Sequence, residues 1–390
     1  MSDNASASRG ATADGPGRTR RPRRRRRWAC GTGLAVAAVF VAAAGAGWAV
    51  YLKLDGNITP DEAAAAELAR FEKERPTALV KDARNILLIG SDSRSGDENR
   101  RYGRDPGTER SDTAILLHLS AGRRTATAVS IPRDLMVRVP GCRRPDASRS
   151  EPVFTQFNEA FQVGGSACAV RTVEKLTRIR VDHHVVVDFH GFKEMVDSVD
   201  GVEVCLREPI DDKAAGLRLP AGRVTLDGEQ ALGYVRARKS LGDGSDTERI
   251  ERQQRFLGAL VSKVRGDDVL LNPVKLYPVL DAATSSLTTD PELASLRSLY
   301  ELVRGLRETP TEGVQFLTVP REPYTGDANR DQLAQPAAGE LFERLRRDAP
   351  VAIDTNGDGK ATERESGERS GDTSPAPTFP GNTAADDTCS

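Results

Sequence analysis

Residues 84–94, RNILLIGSDSR, decide the fold, because an apolar run of strand length ends at Gly90 and is followed directly by the acidic Asp92. Similar runs predict further strands at 112–119, 124–131, 183–189, 202–206 and 313–319. Helical spacing predicts helices at 154–163, 169–179, 191–199, 272–286, 290–306 and 337–347, and from 246 onward. This alternation predicts an α/β domain with a mixed β-sheet and helices on both faces, an α-β-α sandwich.

One transmembrane helix is predicted ahead of this domain. Residues 1–27 contain nine Arg against two Asp, whereas 28–54 are mainly apolar and carry one charge, Lys53. More than 20 apolar residues rising about 1.5 Å each can cross a hydrocarbon core of about 30 Å. Because arginines are retained in the cytoplasm, we expect a single-pass protein in the cell membrane, with its N-terminus cytoplasmic and the rest extracellular. The alternative is a cleaved export signal, since Ala44 and Ala46 flank Gly45.

The chain is predicted to have five segments. They are a basic cytoplasmic segment (1–27), the transmembrane helix (28–54), a stalk (55–83), an extracellular domain (84–348) and a tail (349–390). The tail is rich in Pro, Gly, Ser, Thr and Asp, so we expect it to be disordered. Residues 354–365 match a calcium-loop pattern, but Gly, Ser and Pro follow where an exit helix is required, which favours a solvated segment. Because the basic run is confined to 18–27 and the rest of the chain has a net charge of −8 (−1 minus +7), nucleic-acid binding is excluded.

Export to an oxidising compartment makes a disulfide plausible. Cys30 lies in the membrane segment and Cys389 in the tail, which leaves Cys142, Cys168 and Cys205 as candidates for one bridge. A bond between Cys142 and Cys168 would close a loop rich in Arg, Asp, Ser and Gly that has no core of its own, so we favour that pair. Cys205 lies in a predicted strand, where a free thiol would behave as a small apolar side chain.

Acidic and basic residues follow several predicted strands. Asp92 comes just after the first strand, Asp112 opens the second, and Arg133 follows the third. Open α/β sheets bind ligands at such strand ends, and carboxylate oxygens suit Mg²⁺ held together with phosphate oxygens. Each Asp taken alone is equally typical of a turn or a helix cap. Taken together, the carboxylates and arginines predict a site for a metal-bridged diphosphate.

Residues 234–256, YVRARKSLGDGSDTERIERQQRF, contribute more guanidinium groups on both sides of a Gly-rich loop. Arg236 and Arg238 are two residues apart and would share a side if the chain is extended there. Arg249 and Gln253 are four apart on a predicted helix, so they lie on one side of it. A solvated helix with surface ion pairs is the alternative for this stretch alone. The sequence contains no Walker loop, no G-x-S-x-G motif and no zinc-like His and Cys spacing.

Seven motifs, in this order after one membrane helix, resemble the LytR-CpsA-Psr family. They are NILLIGSDSR, RSDT, SIPRD, FNEAFQVGG, VVVDFHGF, LDGEQALGYVRAR and DTERIERQQ. The resemblance implies a membrane-anchored phosphotransferase. Such an enzyme takes a glycopolymer from a polyprenyl-pyrophosphate carrier and attaches it to peptidoglycan through a phosphodiester. It also implies a hydrophobic tunnel for the polyprenyl tail, between the sheet and the helices.

Carried over by motif, the resemblance also implies residue roles. Asp92 and Asp112 would hold Mg²⁺, and Asp246 would be the base for the acceptor hydroxyl. The pyrophosphate would be bound by Arg110, Arg133, Arg236, Arg238, Arg249 and Gln253, and Arg133 and Arg249 would also act in catalysis. The loop KSLGDGSD, which precedes Thr247, is about one residue longer than common family forms. Two other functions remain open: a non-catalytic polyprenyl-phosphate-binding envelope protein, and a pyrophosphate hydrolase of the same lipid.

Overall fold

A computed structural model describes residues 23–91, 111–212, 215–237, 246–266, 273–354 and 377–386. Side chains are described over the same ranges except for 23–35, 112, 246 and 273–275. Tertiary contacts divide the chain into two units, Met1–Leu52 and Lys53–Ser390. The second unit contains the sheet and the candidate site.

The N-terminal helix has the length and composition of a membrane span. Helix α1 runs over Arg23–Asn57, and its stretch Val36–Asn57 has 22 residues with a mean hydropathy of 1.6. Large apolar side chains on it are exposed, including Phe40 and Trp48, because no part of the described protein covers them. It is the one helix of the described chain that meets both criteria. This finding agrees with the predicted single-pass anchor.

A nine-stranded sheet forms the centre of the second unit, with the strand order β1-β12-β7-β2-β3-β4-β13-β17-β16. Its strands are β1 (Thr59–Pro60), β2 (Arg84–Ser91), β3 (Ser111–Leu119), β4 (Ala126–Ile131), β7 (His183–Val187), β12 (Leu287–Thr289), β13 (Val314–Thr318), β16 (Ala352–Asp354) and β17 (Thr378–Thr383). Strand β2 is parallel to β7 and antiparallel to β3, and β4 is antiparallel to β3 and parallel to β13. The sheet is therefore mixed, as predicted.

Four two-stranded ladders lie outside this sheet. They are formed by β5 (Met136–Val139) with β6 (Val153–Gln156), β8 (Val202–Leu206) with β11 (Gly222–Leu226), β9 (Ile210–Asp212) with β10 (Leu217–Leu219), and β14 (Arg321–Tyr324) with β15 (Asp327–Leu333). The remaining helices are α2 (Glu62–Arg70), α3 (Asn158–Thr177), α4 (Phe189–Ser198), α5 (Gly228–Arg236), α6 (Asp246–Arg265), α7 (Pro273–Ser285), α8 (Leu296–Glu308) and α9 (Ala337–Arg346), with short 3₁₀ turns at Glu72–Glu74 and Thr311–Gly313.

Helices cover both faces of the main sheet. Alternate residues of β2 point to opposite faces, as the pleat requires. Leu87 and Ile89 belong to a buried core that also contains side chains of α2, α3 and α9. Ile86 faces the other side, where Leu257 of α6 and Leu302 of α8 pack. A neighbouring apolar cluster joins α4, α5 and α6 to the β8–β11 ladder. The predicted α-β-α sandwich is confirmed.

Two predicted boundaries were wrong because short segments join the sheet from outside the predicted domain. Thr59 and Pro60 of the predicted stalk pair with β12, and Leu68 of α2 is buried in the core. In the predicted disordered tail, β17 pairs with β13 and carries Phe379, which is 2% exposed. Composition missed both segments, because pairing with a distant strand and one or two buried side chains suffice to order them.

One predicted helix also begins too early. The residues from Val153 to Gln156 form β6, which pairs with β5, and α3 begins only at Asn158. The helical spacing predicts a helix from Phe154, but this side chain is 47% exposed and contributes to no buried helix face. The short strand β12 was missed because it has three residues, too few to show an alternating pattern.

The predicted disulfide between Cys142 and Cys168 is confirmed, with a Cα–Cα distance of 5.7 Å and a sequence separation of 26. Closing a loop of this length stabilises the folded state by about 3 kcal/mol in the chain-entropy model. Cys205 is also disulfide-bonded, so the expectation of a free thiol was wrong. Its partner sulfur lies outside the described side chains. Cys205 does lie in strand β8, as predicted, but it is only partly buried.

Candidate active site

One edge of the main sheet carries the strand ends around which part of the site was predicted. Strands β2, β4, β7 and β13 run in the same direction and end at this edge, whereas the antiparallel β3 begins there. Ser91, the last residue of β2, pairs with Ser111, the first residue of β3. Asp92 and Asp112 follow these two paired residues in the sequence. This arrangement fits a metal held by both carboxylates, which stays a prediction.

Several predicted residues lie partly or wholly outside the described residues. Asp92, Arg110 and Arg238 are not described. Asp112 is the second residue of β3 and Asp246 is the first residue of α6, but neither side chain is described. The structure therefore describes Arg133, Arg236, Arg249 and Gln253 in full.

Three of these four side chains line one cavity. Arg236 is the last residue of α5, where an extended chain was expected, and its guanidinium lies 4.5 Å from the centre of the Phe189 ring. Gln253 donates through Nε2 to the carbonyl oxygen of Val235 at 3.2 Å, which holds α6 against α5. Arg249 lies one helical turn before Gln253, and only 5% of its surface is exposed. The structure thus brings Arg236, Arg249 and Gln253 together, as predicted.

The cavity itself has a volume of about 670 Å³ and lies between the sheet and helices α4, α5 and α6. Its apolar lining consists mainly of Leu88, Ile115, Val187, Phe192, Met195, Leu232, Val235, Phe256, Leu257 and Leu260. The rings of Phe192 and Phe256 are 5.5 Å apart and tilted against each other. An apolar interior with a few basic and polar groups suits a ligand that has a hydrocarbon part and an anionic part. We call it the apolar cavity.

Arg133 lies at the same sheet edge but does not line the apolar cavity. It follows β4, and its Nε donates to Asp134 Oδ2 at 3.2 Å. Asp134 also accepts from Gln156 Nε2 at 2.6 Å, which fixes this acidic group against β6. The backbone carbonyl of Arg133 accepts from the amide of Asn158, the first residue of α3. The predicted contact of Arg133 with the diphosphate therefore stays a prediction.

Sequence reasoning missed residues that position this site. Arg252 is 6% exposed and donates to the carbonyl oxygen of Ala237, which holds the end of α5 against α6. Gln254 Nε2 donates to Ser130 Oγ at 3.1 Å and to Thr318 Oγ1 at 3.2 Å, which ties α6 to two strand ends. Both residues belong to the quoted run ERIERQQ, in which positions three and four residues apart share a helix face.

Histidines gather at the opposite edge of the sheet. His183, Asp290 and Glu292 could each offer one ligand atom to a metal within 4.8 Å of the others. However, Asp290 already accepts from His183 Nδ1 at 3.2 Å and from two backbone amides, those of His184 and Leu293. His118 is buried between Asn85 and Asp348. Burial lowers the pKa of His118, although the hydrogen bond to Asp348 opposes this. These contacts are typical of structural polar networks.

The apolar cavity of this α-β-α domain carries arginines of α5 and α6 in its wall, a lining typical of sites for amphiphilic anions. The model of the LytR_cpsA_psr family matches residues 53–347, and the chain belongs to this family. The match begins at Lys53, two residues before the predicted stalk, and therefore includes β1.

The chain is similar to cell-wall proteins of several bacteria. The chain is 39% identical over 234 residues to the probable cell wall biosynthesis protein LcpB of Corynebacterium glutamicum, covering 58% of this chain and 53% of LcpB. It is 31% identical to the polyisoprenyl-teichoic acid–peptidoglycan teichoic acid transferase TagU of Oceanobacillus iheyensis, covering 59% of this chain and 66% of TagU. The chain spans about half the length of the two Corynebacterium relatives it matches, 53% of LcpB and 50% of LcpA.

Solved structures share the fold. A structure of TagT bound to LI-WTA has a TM-score of 0.52 and 25% identity, covering 71% of this chain and 97% of that one. The LytR-Csp2A-Psr enzyme from Actinomyces oris has a TM-score of 0.54 and 23% identity, covering 70% and 93%. The second of these likenesses concerns the fold alone.

Proposed function

We propose that this chain is a membrane-anchored, Mg²⁺-dependent phosphotransferase. It takes a glycopolymer from a polyprenyl-pyrophosphate carrier and joins it to peptidoglycan outside the cell through a phosphodiester. The observation that carries the proposal is the apolar cavity with Arg236, Arg249 and Gln253 in its wall. The names of TagU and TagT, transferases of polyisoprenyl-linked teichoic acid to peptidoglycan, support the same class of reaction.

The lipid part of the donor fits the apolar cavity by its chemistry. Side chains such as Leu232, Phe256 and Leu260 offer apolar surface to a polyprenyl chain, and burying that surface contributes about 25 cal/mol per Å². The cavity lies inside the domain, so the tail would be shielded from water while the diphosphate stays at the sheet edge. No covalent bond to the protein is needed for this step.

The diphosphate requires positive charge, which the guanidinium groups supply. Arg249 is buried, so its field on a phosphate oxygen is less screened than at the surface. Arg236 is held by the ring of Phe189, which limits its freedom before the substrate binds. Asp92 and Asp112 would hold Mg²⁺, which would neutralise phosphate oxygens. Positioning and charge neutralisation supply most of the rate in phosphoryl transfer, so no nucleophilic side chain is required.

The acceptor hydroxyl must lose a proton as it attacks phosphorus. Asp246, at the start of α6, is the proposed base, and it lies three residues before Arg249. The bond from phosphorus to the bridging oxygen breaks, and polyprenyl monophosphate leaves. The charge that develops on the leaving oxygen is stabilised by the arginines.

The proposed membrane location rests on the apolar stretch of α1 and on the arginines that precede this stretch. We expect residues from about Asp55 onward to lie outside the cell. A reporter fused after Ser390 tests this orientation. Activity of a periplasmic or extracellular reporter is expected, and a fusion active only in the cytoplasm would contradict it.

Transfer itself is tested with the full chain in lipid nanodiscs, a lipid-linked oligosaccharide donor, peptidoglycan and Mg²⁺. A covalent product with one phosphate between glycan and peptidoglycan is expected. Release of free phosphorylated oligosaccharide without peptidoglycan linkage would instead identify a hydrolase. Donor binding without either product would identify a non-catalytic binding protein. Omission of Mg²⁺ with chelator is expected to abolish the product.

A further inference from the structure

A second cavity, of about 780 Å³, lies at the same sheet edge. We infer that this second cavity binds the acceptor saccharide of peptidoglycan, an amino sugar that carries hydroxyls and a carboxylate-bearing peptide. The inference rests on the proposed function. We call this site the polar cavity, because hydroxyl and charged groups line much of it. These groups are Thr59, Asp61, Glu67, Ser91, Arg143, Arg144, Ser166, Asp188, His190, Glu194, Ser285, Ser286 and Thr288.

The two cavities lie on opposite sides of the same strand ends. Gly90 lines the apolar cavity, and the next residue of β2, Ser91, lines the polar cavity. Consecutive residues of a strand point to opposite faces, so the strand itself separates the two spaces. Strand β7 shows the same alternation, because Val187 lines the apolar cavity and Val186 lines the polar cavity. Asp188 follows β7 and lines both, so the cavities meet at this edge.

This arrangement matches the geometry of phosphoryl transfer. The attacking oxygen and the leaving oxygen lie roughly in line, on opposite sides of phosphorus. The leaving group is polyprenyl monophosphate, whose tail belongs in the apolar cavity. An acceptor hydroxyl must therefore approach from the far side, where the polar cavity lies. The new bond joins that hydroxyl oxygen to phosphorus, and its proton passes to a carboxylate at the edge.

The lining of the polar cavity also has groups that can form hydrogen bonds with a sugar. Each sugar hydroxyl can donate one hydrogen bond and accept others, so a site for it needs both kinds of partner. Asp61, which lines the cavity, stays ionised. Burial opposes its ionisation, but hydrogen bonds from His184, Ser166 and the Ala64 amide outweigh this and hold its pKa at about 2. Ser286 donates to the carbonyl of Ala282, which leaves its oxygen lone pairs directed to other donors.

Two exposed arginines complete the site for an anionic acceptor. Arg143 and Arg144 line the polar cavity, and neither forms an ion pair within 4.0 Å among the described residues. Arg144 lies near the charge of Asp146, at the tip of the same loop. The peptide of a muramyl unit carries carboxylates, and guanidinium groups bind carboxylates in a fork geometry. The arginines would therefore recognise the peptide end of the acceptor.

The disulfide fixes this arginine-bearing wall. Arg143 directly follows Cys142, whose bond to Cys168 joins the loop to α3. Helix α3 is kinked at Gly164 and Gly165, just before Ser166. A Cβ at Gly164 would lie 2.8 Å from the Arg143 carbonyl oxygen and 2.9 Å from Cys142 Cβ, so only glycine allows this approach. Loop and kink thus form adjoining walls of the polar cavity.

The test uses the full chain in nanodiscs with a soluble disaccharide-peptide fragment of peptidoglycan. The double variant Arg143→Ala and Arg144→Ala removes two exposed side chains, so folding should be preserved. We expect the fragment's dissociation constant and the acceptor KM to rise about tenfold or more, since charge-assisted hydrogen bonds are lost. The affinity for a lipid-linked donor should change by less than about twofold. The control is Arg218→Ala with Arg297→Ala, which removes the same charge from side chains 87% and 82% exposed.

Three outcomes would overturn the inference. The first is an acceptor KM of the double variant that stays at the wild-type value. The second is a control variant that loses as much acceptor affinity as the double variant. The third is a double variant that loses affinity for the donor instead of the acceptor. The last result would assign the polar cavity to the donor glycan. Failure of the proposed function gives a different result. If the wild-type chain forms no transfer product but binds the fragment, and the double variant loses this binding, the cavity assignment stands and the transfer function does not.

Discussion

The two cavities differ in chemistry although they share one sheet edge. On the side of α4, α5 and α6 the lining is mainly apolar, with Arg249 and Gln253 from α6 in the wall. On the side of α2 and α3 the lining contains serines, threonines, carboxylates and two arginines. The difference begins with the strand pleat, because neighbours such as Gly90 and Ser91 face opposite sides. One sheet edge can therefore bind a lipid on one face and a polar group on the other.

This comparison predicts that the two cavities bind different substrates, which mutations can test. Residues on the apolar side should affect donor binding, residues on the polar side should affect acceptor binding, and the proposed base Asp246 should affect the chemical step alone. The opposite sheet edge serves as a reference, since the polar groups described there bind one another.

The largest effect is expected for Asp246→Asn, because the substitution removes the proposed base and leaves the donor contacts intact. The transfer rate should fall by about 10² to 10⁴, the range typical of general acid–base groups, with donor affinity unchanged. Single-turnover rates and donor binding are measured together. The control is Asp211→Asn, which alters an exposed carboxylate 3.8 Å from Arg218. A rate within a few fold of wild type would show that Asp246 is not the base.

Arg249→Ala should reduce transfer by about 10² to 10³, because the arginine binds charge in both the ground and the transition state. Donor affinity should fall as well, which distinguishes this variant from Asp246→Asn. The control on the same helix is Arg255→Ala, whose side chain is 41% exposed and pairs with Glu251 at 3.3 Å. Equal loss in both variants would argue against a special role for the buried guanidinium.

Leu260→Trp narrows the apolar cavity, so less apolar surface of a long lipid tail can be buried. The affinity for a long-chain donor should therefore fall by about tenfold relative to the affinity for a short-chain analogue. The ratio of the two donor affinities is the measurement. Leu79→Trp, at a side chain that is 59% exposed, is the control. An unchanged ratio would mean that the lipid tail does not enter this cavity.

The smallest effect is expected at the opposite edge, with Asp290→Asn. Burial alone would lower the pKa of His183, but the hydrogen bond and charge of Asp290 outweigh it and raise that pKa. The stability from a raised His pKa is present below the unfolded value of 6.5 and is lost as pH rises through the folded value. The free energy of unfolding of the variant should therefore be lower than that of the wild type by about 1 kcal/mol near pH 6, and by less near pH 9.

Chemical denaturation followed by circular dichroism at the two pH values measures this change. Transfer activity should stay within twofold of wild type, because Asp290 lines neither cavity. A loss of stability that is the same at both pH values would show that Asp290 acts through its backbone hydrogen bonds rather than through His183.

Much of the fold was predictable because it depends on local patterns. The apolar runs of β2, β3, β4 and β13 and the long periodic helix α6 came directly from residue spacing. Motif resemblance also grouped Arg236, Arg249 and Gln253, which the structure brings into one cavity. The roles of Asp92, Arg110, Asp112, Arg238 and Asp246 stay predictions, since their side chains lie outside the described residues.

The sequence by itself determined the order of strands and helices, the membrane span and the chemistry of the arginine-rich segments, because each is set by neighbouring residues. Only the tertiary structure decided that β17 completes the sheet and that Asp61 meets Ser166 and His184, residues 105 and 123 positions away. It also decided that the loop of Arg143 adjoins the kink of α3. Such contacts depend on which distant surfaces pack together, and no local pattern encodes that choice.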